Sequence, residues 1–277
     1  MIVGKERKGT FSITFCEQAE NHVGMQKIGE IAKEGFKLED LMDVAKRIEG
    51  KLDYEIINLK YTLTEEDLEE LGEDGEVQDA YIMIIRESLK PKESNELYDE
   101  QLKLPIDKKA FMRGKVVNKH ARWNVCYAEE SQEPDIEKGK GTIISFDSVP
   151  RLNEVRKALY YILGEKGKDL YAELNYYYDV KKCYIGFHGD SERKKVVCVR
   201  LGEDLPMQYQ WFRQSKPVGK RVKFTLGHGD MYIMSEKAVG NDWKKRKIAT
   251  LRHAAGFENC IPSNQKILEK IRKNKKK

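Results

Sequence analysis

Three side chains in the C-terminal half, His188, Asp190 and His253, have the make-up of an iron site. Two imidazoles and one carboxylate hold Fe(II) on one face and leave the opposite positions open for oxygen and a co-substrate, as in non-haem oxygenases. His188 ends an apolar run and Asp190 begins a polar turn, so both side chains can converge at one strand end. His253 lies far enough along the chain for a sheet to fold back and bring it alongside. The tripeptide His-Gly-Asp occurs twice among 5 histidines, and His228-Gly229-Asp230 offers the same ligand types. The motif alone is therefore weak, and a structural role for all three residues stays open. Context favours the first copy, because His228 leads straight into an apolar run and Gly229-Asp230 reads as a hairpin turn. His22, with no spaced ligand partner, reads as structural.

The elements that must position these residues follow from periodicity. Residues 11–15 alternate as a strand, Leu38, Leu41, Met42, Ala45 and Ile48 follow helical spacing, and residues 54–63 and 80–85 read as strands. The acidic stretch 65–76 between them reads as a solvated helix or loop. Residues 1–95 are thus expected to form a small acidic α+β domain, with a boundary in the polar, Pro-containing stretch 90–99. Beyond it, Pro150 starts a helix with Leu152, Val155, Leu159 and Ile162 on one face, and Gly164 ends it. Short β-patterned runs then follow at 170–180, 183–187, 196–201, 207–214, 222–226, 231–234 and 247–253. That is the pattern of a double-sheet jelly roll with a covering helix over residues 96–265, followed by a basic tail, 266–277.

Composition limits the functions such a fold can carry. The 5 cysteines are scattered and form no CxxC pair, which argues against a disulfide framework or a thiolate zinc site and for a reducing interior. No run of about 18 apolar residues exists, and residues 1–10 lack the apolar core of a signal peptide. The expectation is a soluble intracellular protein, cytoplasmic or nuclear, without membrane contact. The net charge of +5 divides sharply: residues 1–100 carry 13 Lys+Arg against 25 Asp+Glu, and residues 101–277 carry 38 against 21. Such asymmetry points to a polyanionic partner for the basic part, and leaves a protein partner for the acidic part. Lys138-Gly139-Lys140-Gly141-Thr142 lacks phosphate-loop spacing and reads as a turn, and no paired serine or cysteine nucleophile is evident.

The blocks Leu174-Asn175-Tyr176-Tyr177 and Ile185-Gly186-Phe187-His188-Gly189-Asp190-Ser191-Glu192-Arg193 resemble the core of the AlkB-like Fe(II)/2-oxoglutarate dioxygenases. So do Val196–Gly202, the aromatic run ending Trp211-Phe212-Arg213, and Leu226-Gly227-His228-Gly229-Asp230-Met231-Tyr232-Ile233-Met234-Ser235. The resemblance covers about residues 110–260, in one order. It implies that His188, Asp190 and His253 ligate Fe(II), and that Asn175 and Tyr177, which share one face of a strand, hydrogen-bond 2-oxoglutarate. Ser191 and Glu192 fall where family members read a base, and Trp123, Tyr127 and Arg213 are further candidates for substrate contact. Lys115, Lys119, Arg122, Arg193, Lys194 and Lys195 are candidates for phosphate contacts.

One departure bears on the co-substrate. The family follows the distal histidine with a strand whose first arginine binds the far carboxylate of 2-oxoglutarate. Here residues 254–277 contain no such strand, residues 263–273 look helical, and Arg272 is the sole arginine. A buried dianion needs a cation, and Arg200, on the strand after the His-x-Asp turn, is the candidate replacement. Arg252 is disfavoured, since alternation turns it away from the side that His253 faces. The expected activity is O2-dependent oxidation of a methyl on a nucleic-acid base, with the hydroxymethyl product collapsing to formaldehyde. The same chemistry on a protein or a free nucleotide, and an inactive nucleic-acid-binding module, are the alternatives.

Overall fold

In the first strand Phe11, Ile13 and Phe15 alternate with Ser12 and Thr14, and this two-residue period decides which face meets which core. The computed structural model describes residues 7–72 and 76–274. Its first elements are β1 (Thr10–Cys16), β2 (Gln18–Glu20), β3 (Lys27–Gly29), α1 (Leu38–Ile48), β4 (Tyr54–Asn58), α2 (Glu65–Gly72), β5 (Tyr81–Ile85) and α3 (Pro91–Gln101). Next come β6 (Lys109–Met112), β7 (Lys115–Asn118), β8 (Trp123–Ala128), β9 (Ile143–Ser145) and α4 (Pro150–Leu163). The chain continues through β10 (Tyr171–Tyr177), β11 (Ile185–His188), β12 (Val196–Gly202), β13 (Leu205–Arg213), β14 (Lys216–Leu226) and β15 (Met231–Met234). It closes with α5 (Glu236–Val239), β16 (Thr250–Ala255) and α6 (Asn264–Asn274).

The fold is α+β, built on an 8-stranded sheet in the order β4-β5-β15-β12-β1-β10-β8-β9 and a 4-stranded sheet in the order β11-β16-β13-β14. Two cores follow from strand alternation. Phe11, Ile13, Phe15, Leu174, Val197, Val199 and Ile233 point outward from the large sheet into a core closed by Leu41 and Val44 of α1, Leu97 of α3 and Leu152 and Leu159 of α4. The opposite face meets the small sheet, and Val196, Cys198, Tyr232, Met207, Tyr209, Trp211 and Leu251 pack between them. Burying each such large side chain stabilises by roughly 1.5–3 kcal/mol, so the paired sheets are held firmly enough to fix a site between them.

The expected boundary near residue 95 does not separate two bodies. β1 lies between β10 and β12, and β5 pairs with β15, so residues 1–95 supply central and flanking strands to the sheet that carries the C-terminal residues. Residues 90–99 are not a linker. Pro91 fits the first helical turn, the Glu93 carboxylate accepts from the backbone N–H of Lys90 at 3.2 Å, and α3 buries Leu97 and Tyr98. The basic segment is not a free tail through Asn274 either, because α6 docks on β14 and Asn264 donates to Gln210 at 2.9 Å. Residues 275–277 of that segment, and 73–75 of the acidic stretch, lie outside the described residues. No helix among the described residues is long and apolar enough to cross a membrane.

Candidate metal centre

β11 and β16 run antiparallel at the edge of the small sheet, and their register places His188 directly opposite His253. The ring centroids stand 4.4 Å apart. Asp190, in the turn after β11, brings Oδ1 to 3.5 Å from His188 Nε2 and 3.7 Å from His253 Nε2. Candidate ligand atoms of all three residues lie within 4.8 Å of one another. His188 Nδ1 lies 2.8 Å from the Gly186 carbonyl, and with the proton assigned there Nε2 keeps its lone pair toward the other two groups. Burial, reinforced by the nearby His188 and the positive Arg193, pushes the His253 pKa well below the usual histidine range. A neutral imidazole is the form that binds a metal.

Backbone constraints hold the turn in place. A Cβ on Gly189 would stand 2.1 Å from the Gly240 carbonyl oxygen, so only glycine passes between the two ligands. The Asn241 amide donates to the carbonyls of Asp190, Ser191 and Arg193 at 3.3, 3.1 and 3.0 Å. Arg193 is buried beneath the site, with Nη2 donating to Glu173 at 2.7 Å and to Glu192 at 2.8 Å, and Nε 3.8 Å from Asp190. Burial is the largest influence on the Glu173 carboxyl and raises it, but Arg193, Arg122 and the Asn175 amide together outweigh it and leave the group below its usual range. Glu192 shifts upward, through burial and then the charge of Asp190.

The inward faces of β10, β1 and β12 continue the site away from the ligands. Ser12 pairs with both Asn175 and Arg200, so the three residues form one row across the sheet. The Asn175 oxygen accepts from Arg122 Nε and Asn124 Nδ2, both at 2.5 Å, while its amide donates to Glu173 at 3.1 Å. Tyr177 is buried on the same face as Asn175. Arg200 is 1% exposed, and its Nε and Nη1 have no hydrogen-bond partner. Its guanidinium carbon lies 5.7 Å from the Tyr232 ring centroid. The Tyr209 hydroxyl is likewise buried and unpartnered, and its ring centroid stands 6.0 Å from that of His253. Unsatisfied buried donors are rare in native structures, and several in one interior mark a place for a polar guest.

No protein-family model matches the chain. It is 44% identical over 258 residues, 92% of its own length and 99% of the relative's, to the "uncharacterized protein R156" of Acanthamoeba polyphaga mimivirus. The chain belongs to the R156 family. The relative's description states no activity.

The structure brings His188, Asp190 and His253 together and sets Asn175, Tyr177 and Arg200 on the adjoining inward faces. Ser191 and Glu192 flank the ligands, but Glu192 is tied to Arg193 rather than solvated, and Ser191 Oγ lies 3.1 Å from Lys244 Nζ. Trp123 shares the face of β8 that carries Val125 and packs on Tyr176, so it is turned away from the ligands; it is half-buried, stacked on Tyr178 at 4.3 Å and capped by Lys108 Nζ at 4.4 Å. Tyr127 is no stacking residue: alternation along β8 turns it into the helix-side core, where its hydroxyl donates to Gln101 at 2.5 Å. Arg213 sits at the β13–β14 turn and donates to the Glu70 carbonyl at 2.6 Å, away from the ligands. Arg193 and Lys119 are not phosphate contacts, since Arg193 is enclosed by carboxylates and Lys119 is buried and donates to Asn21 at 2.8 Å.

The second His-Gly-Asp is structural. His228 Nδ1 accepts from Gly202 N at 3.0 Å, and Asp230 accepts from Arg86 and Gly227 at 2.8 and 2.9 Å. It is not a hairpin turn, because β14 and β15 belong to different sheets. Sequence reasoning missed Glu173, Tyr209, Tyr232 and Asn241 as parts of the site. For Glu173 the signal was present, since it shares the face of Asn175 and Tyr177.

Proposed function

We propose that the protein is an Fe(II)/2-oxoglutarate-dependent oxygenase acting on modified bases in nucleic acid. The observation that carries this reading is the convergence of His188, Asp190 and His253 within 4.8 Å, beside an interior that holds a buried, incompletely partnered arginine. The strand order supports it. Strands β10 to β16 number seven, and β1, inserted between β10 and β12, makes an eighth, giving the facing quartets β10-β1-β12-β15 and β11-β16-β13-β14. Eight strands in two sheets is the jelly-roll arrangement. On this reading β1 fills the place left by the strand that is missing after His253.

His188 Nε2, an Asp190 oxygen and His253 Nε2 would hold Fe(II), with two imidazoles and one carboxylate leaving positions open. Bound there with 2-oxoglutarate and O2, the metal supplies the oxidant for hydroxylating a C–H bond. Arg200, with Nε and Nη1 unmatched, would receive the far carboxylate of 2-oxoglutarate, and Tyr177 lies along the same inward face. Arg193 and Asn241 keep Asp190 in place. The large sheet and its helices close one side of the interior, so water is excluded from that side. The excess of cations beyond residue 100 favours a polyanion.

The test is anaerobic addition of Fe(II) and then 2-oxoglutarate, read as the visible metal-to-ligand charge-transfer band of a chelated keto acid. The band is expected in the wild type and absent in His188→Ala and Asp190→Ala. Iron binding without a band would turn the reading toward a nucleic-acid-binding module.

A further inference from the structure

Behind the metal centre, on the other face of β16, lies a second concavity of about 580 Å³. Alternation turns His253 toward the paired sheets and Arg252 away from them, into this hollow. The β13–β14 turn contributes Lys216, the segment between α5 and β16 contributes Trp243, Lys244 and Arg246, and the end of α6 contributes Asn274. Four of the lining side chains are cationic and none is a carboxylate.

The arginine is held in place but not satisfied. Its guanidinium carbon lies 4.2 Å from the Phe212 ring centroid and 5.2 Å from that of Trp243, and Nη2 donates to the Trp243 carbonyl at 3.3 Å. Arg252 Nε and Trp243 Nε1 are buried donors without a partner. Converging cations and unmatched donors suit an anion with several acceptor oxygens. The hollow is also joined to the metal centre. Lys244 reaches Ser191, the residue after Asp190, and Arg252 adjoins His253 in the chain.

We propose that this hollow is a phosphodiester site, which takes a backbone phosphate of a single-stranded nucleic acid whose target base occupies the metal centre. The proposal rests on the functional reading above. It adds the route of the strand: from the ligand turn, past Ser191 and Lys244, to Lys216, Arg246 and Arg252. A base must leave its stack to reach a buried metal, and anchoring the neighbouring backbone holds it there.

The experiment uses the full chain and a short fluorescein-labelled oligodeoxythymidylate, with affinity read by anisotropy across a salt series. The variant is Lys216→Ala/Arg246→Ala, two exposed side chains outside the metal centre. Each neutralised phosphate contributes about 0.7 to the slope of log K against log salt for single strands, so losing the one held in the hollow is expected to lower it by about 0.7. A tenfold or greater loss of affinity at low salt accompanies it. Lys103→Ala/Lys168→Ala, which removes the same charge elsewhere on the surface, is expected to change neither. An unchanged slope in the first variant, or an equal loss in the second, overturns the proposal. An oligoglutamate that binds as tightly as the oligonucleotide, and is weakened as much, overturns it in favour of an acidic peptide. The charge-transfer band is read on the same samples. A band with an unchanged slope sinks the phosphate site alone, whereas no band with the expected slope change sinks the oxygenase reading and leaves the site standing.

Discussion

Replacing Arg200 with methionine should move two measurements in opposite directions. The side chain is 1% exposed, and without a guest its Nε and Nη1 are unmatched donors. Leaving a buried polar group unsatisfied costs roughly 1–3 kcal/mol, so an unbranched apolar side chain of similar length relieves that cost. The metal-free, co-substrate-free variant is therefore expected to be more stable by roughly 1–3 kcal/mol in urea unfolding. The lost ring contact to Tyr232, at 5.7 Å, and the lost hydrogen bond to its hydroxyl offset part of this gain. Binding responds the other way. A two-pronged, charge-assisted contact to a carboxylate contributes roughly 2–4 kcal/mol, and at about 1.4 kcal/mol per tenfold this weakens 2-oxoglutarate by roughly 30- to 1000-fold. Anaerobic titration of the charge-transfer band gives the affinity, and iron binding itself should be unchanged. A variant that holds 2-oxoglutarate as well as the wild type, or that loses stability without gaining any, would refute the assignment of Arg200.

Three other outcomes follow from the same geometry. Gly189→Ala forces the turn away from the Gly240 carbonyl, and Fe(II) affinity, measured by competition with a chelating dye, should fall by roughly 10–100-fold while the circular dichroism spectrum persists. Burial, and then Arg7, lowers His228 to about 4, so the unfolded chain takes up its proton first as pH falls. Its contribution is complete above the unfolded value of 6.5 and is lost between there and about 4; discounted for solvent screening it amounts to roughly 1–2 kcal/mol. Urea unfolding across that window should be flatter in His228→Gln than in the wild type. Tyr127→Phe should cost about 1 kcal/mol of stability through the lost bond to Gln101 and leave oligonucleotide affinity unchanged.

What could be read ahead of the structure was local. An apolar run ending in His188, followed by Gly189-Asp190, fixes a strand and a turn by period and turn chemistry alone, whereas the face of Arg200 could not be read, because β12 is buried throughout and its apolar neighbours hide the alternation. The helix after Pro150 and the one ending near Lys273 were legible from capping and spacing. The domain boundary was not. A polar stretch with a proline has the composition of a linker, and what makes α3 a packed helix is the tertiary burial of Leu97 and Tyr98. The place of β1 depends on strands far along the chain, to which no local pattern points. The two faces of β8 were misjudged for Tyr127 because its neighbours on either side, Cys126 and Ala128, are also apolar and hide the alternation.

That arrangement of β1 sets the timing of assembly. Ser12 meets Cys198 across 186 residues of chain, and both edges of β1 remain unpaired until β10 and β12 exist. Closing so long a loop is entropically slow, and during synthesis an apolar strand with two open edges is a target for chaperones and for aggregation. Maturation of the site is therefore gated by the last arrivals. A fragment that begins after residue 95 would keep every expected metal ligand and still lack the strand between Asn175 and Arg200. Expression trials that trim the acidic N-terminal part to obtain a tidier domain should yield insoluble protein, and adding β1 back as a separate peptide should restore solubility.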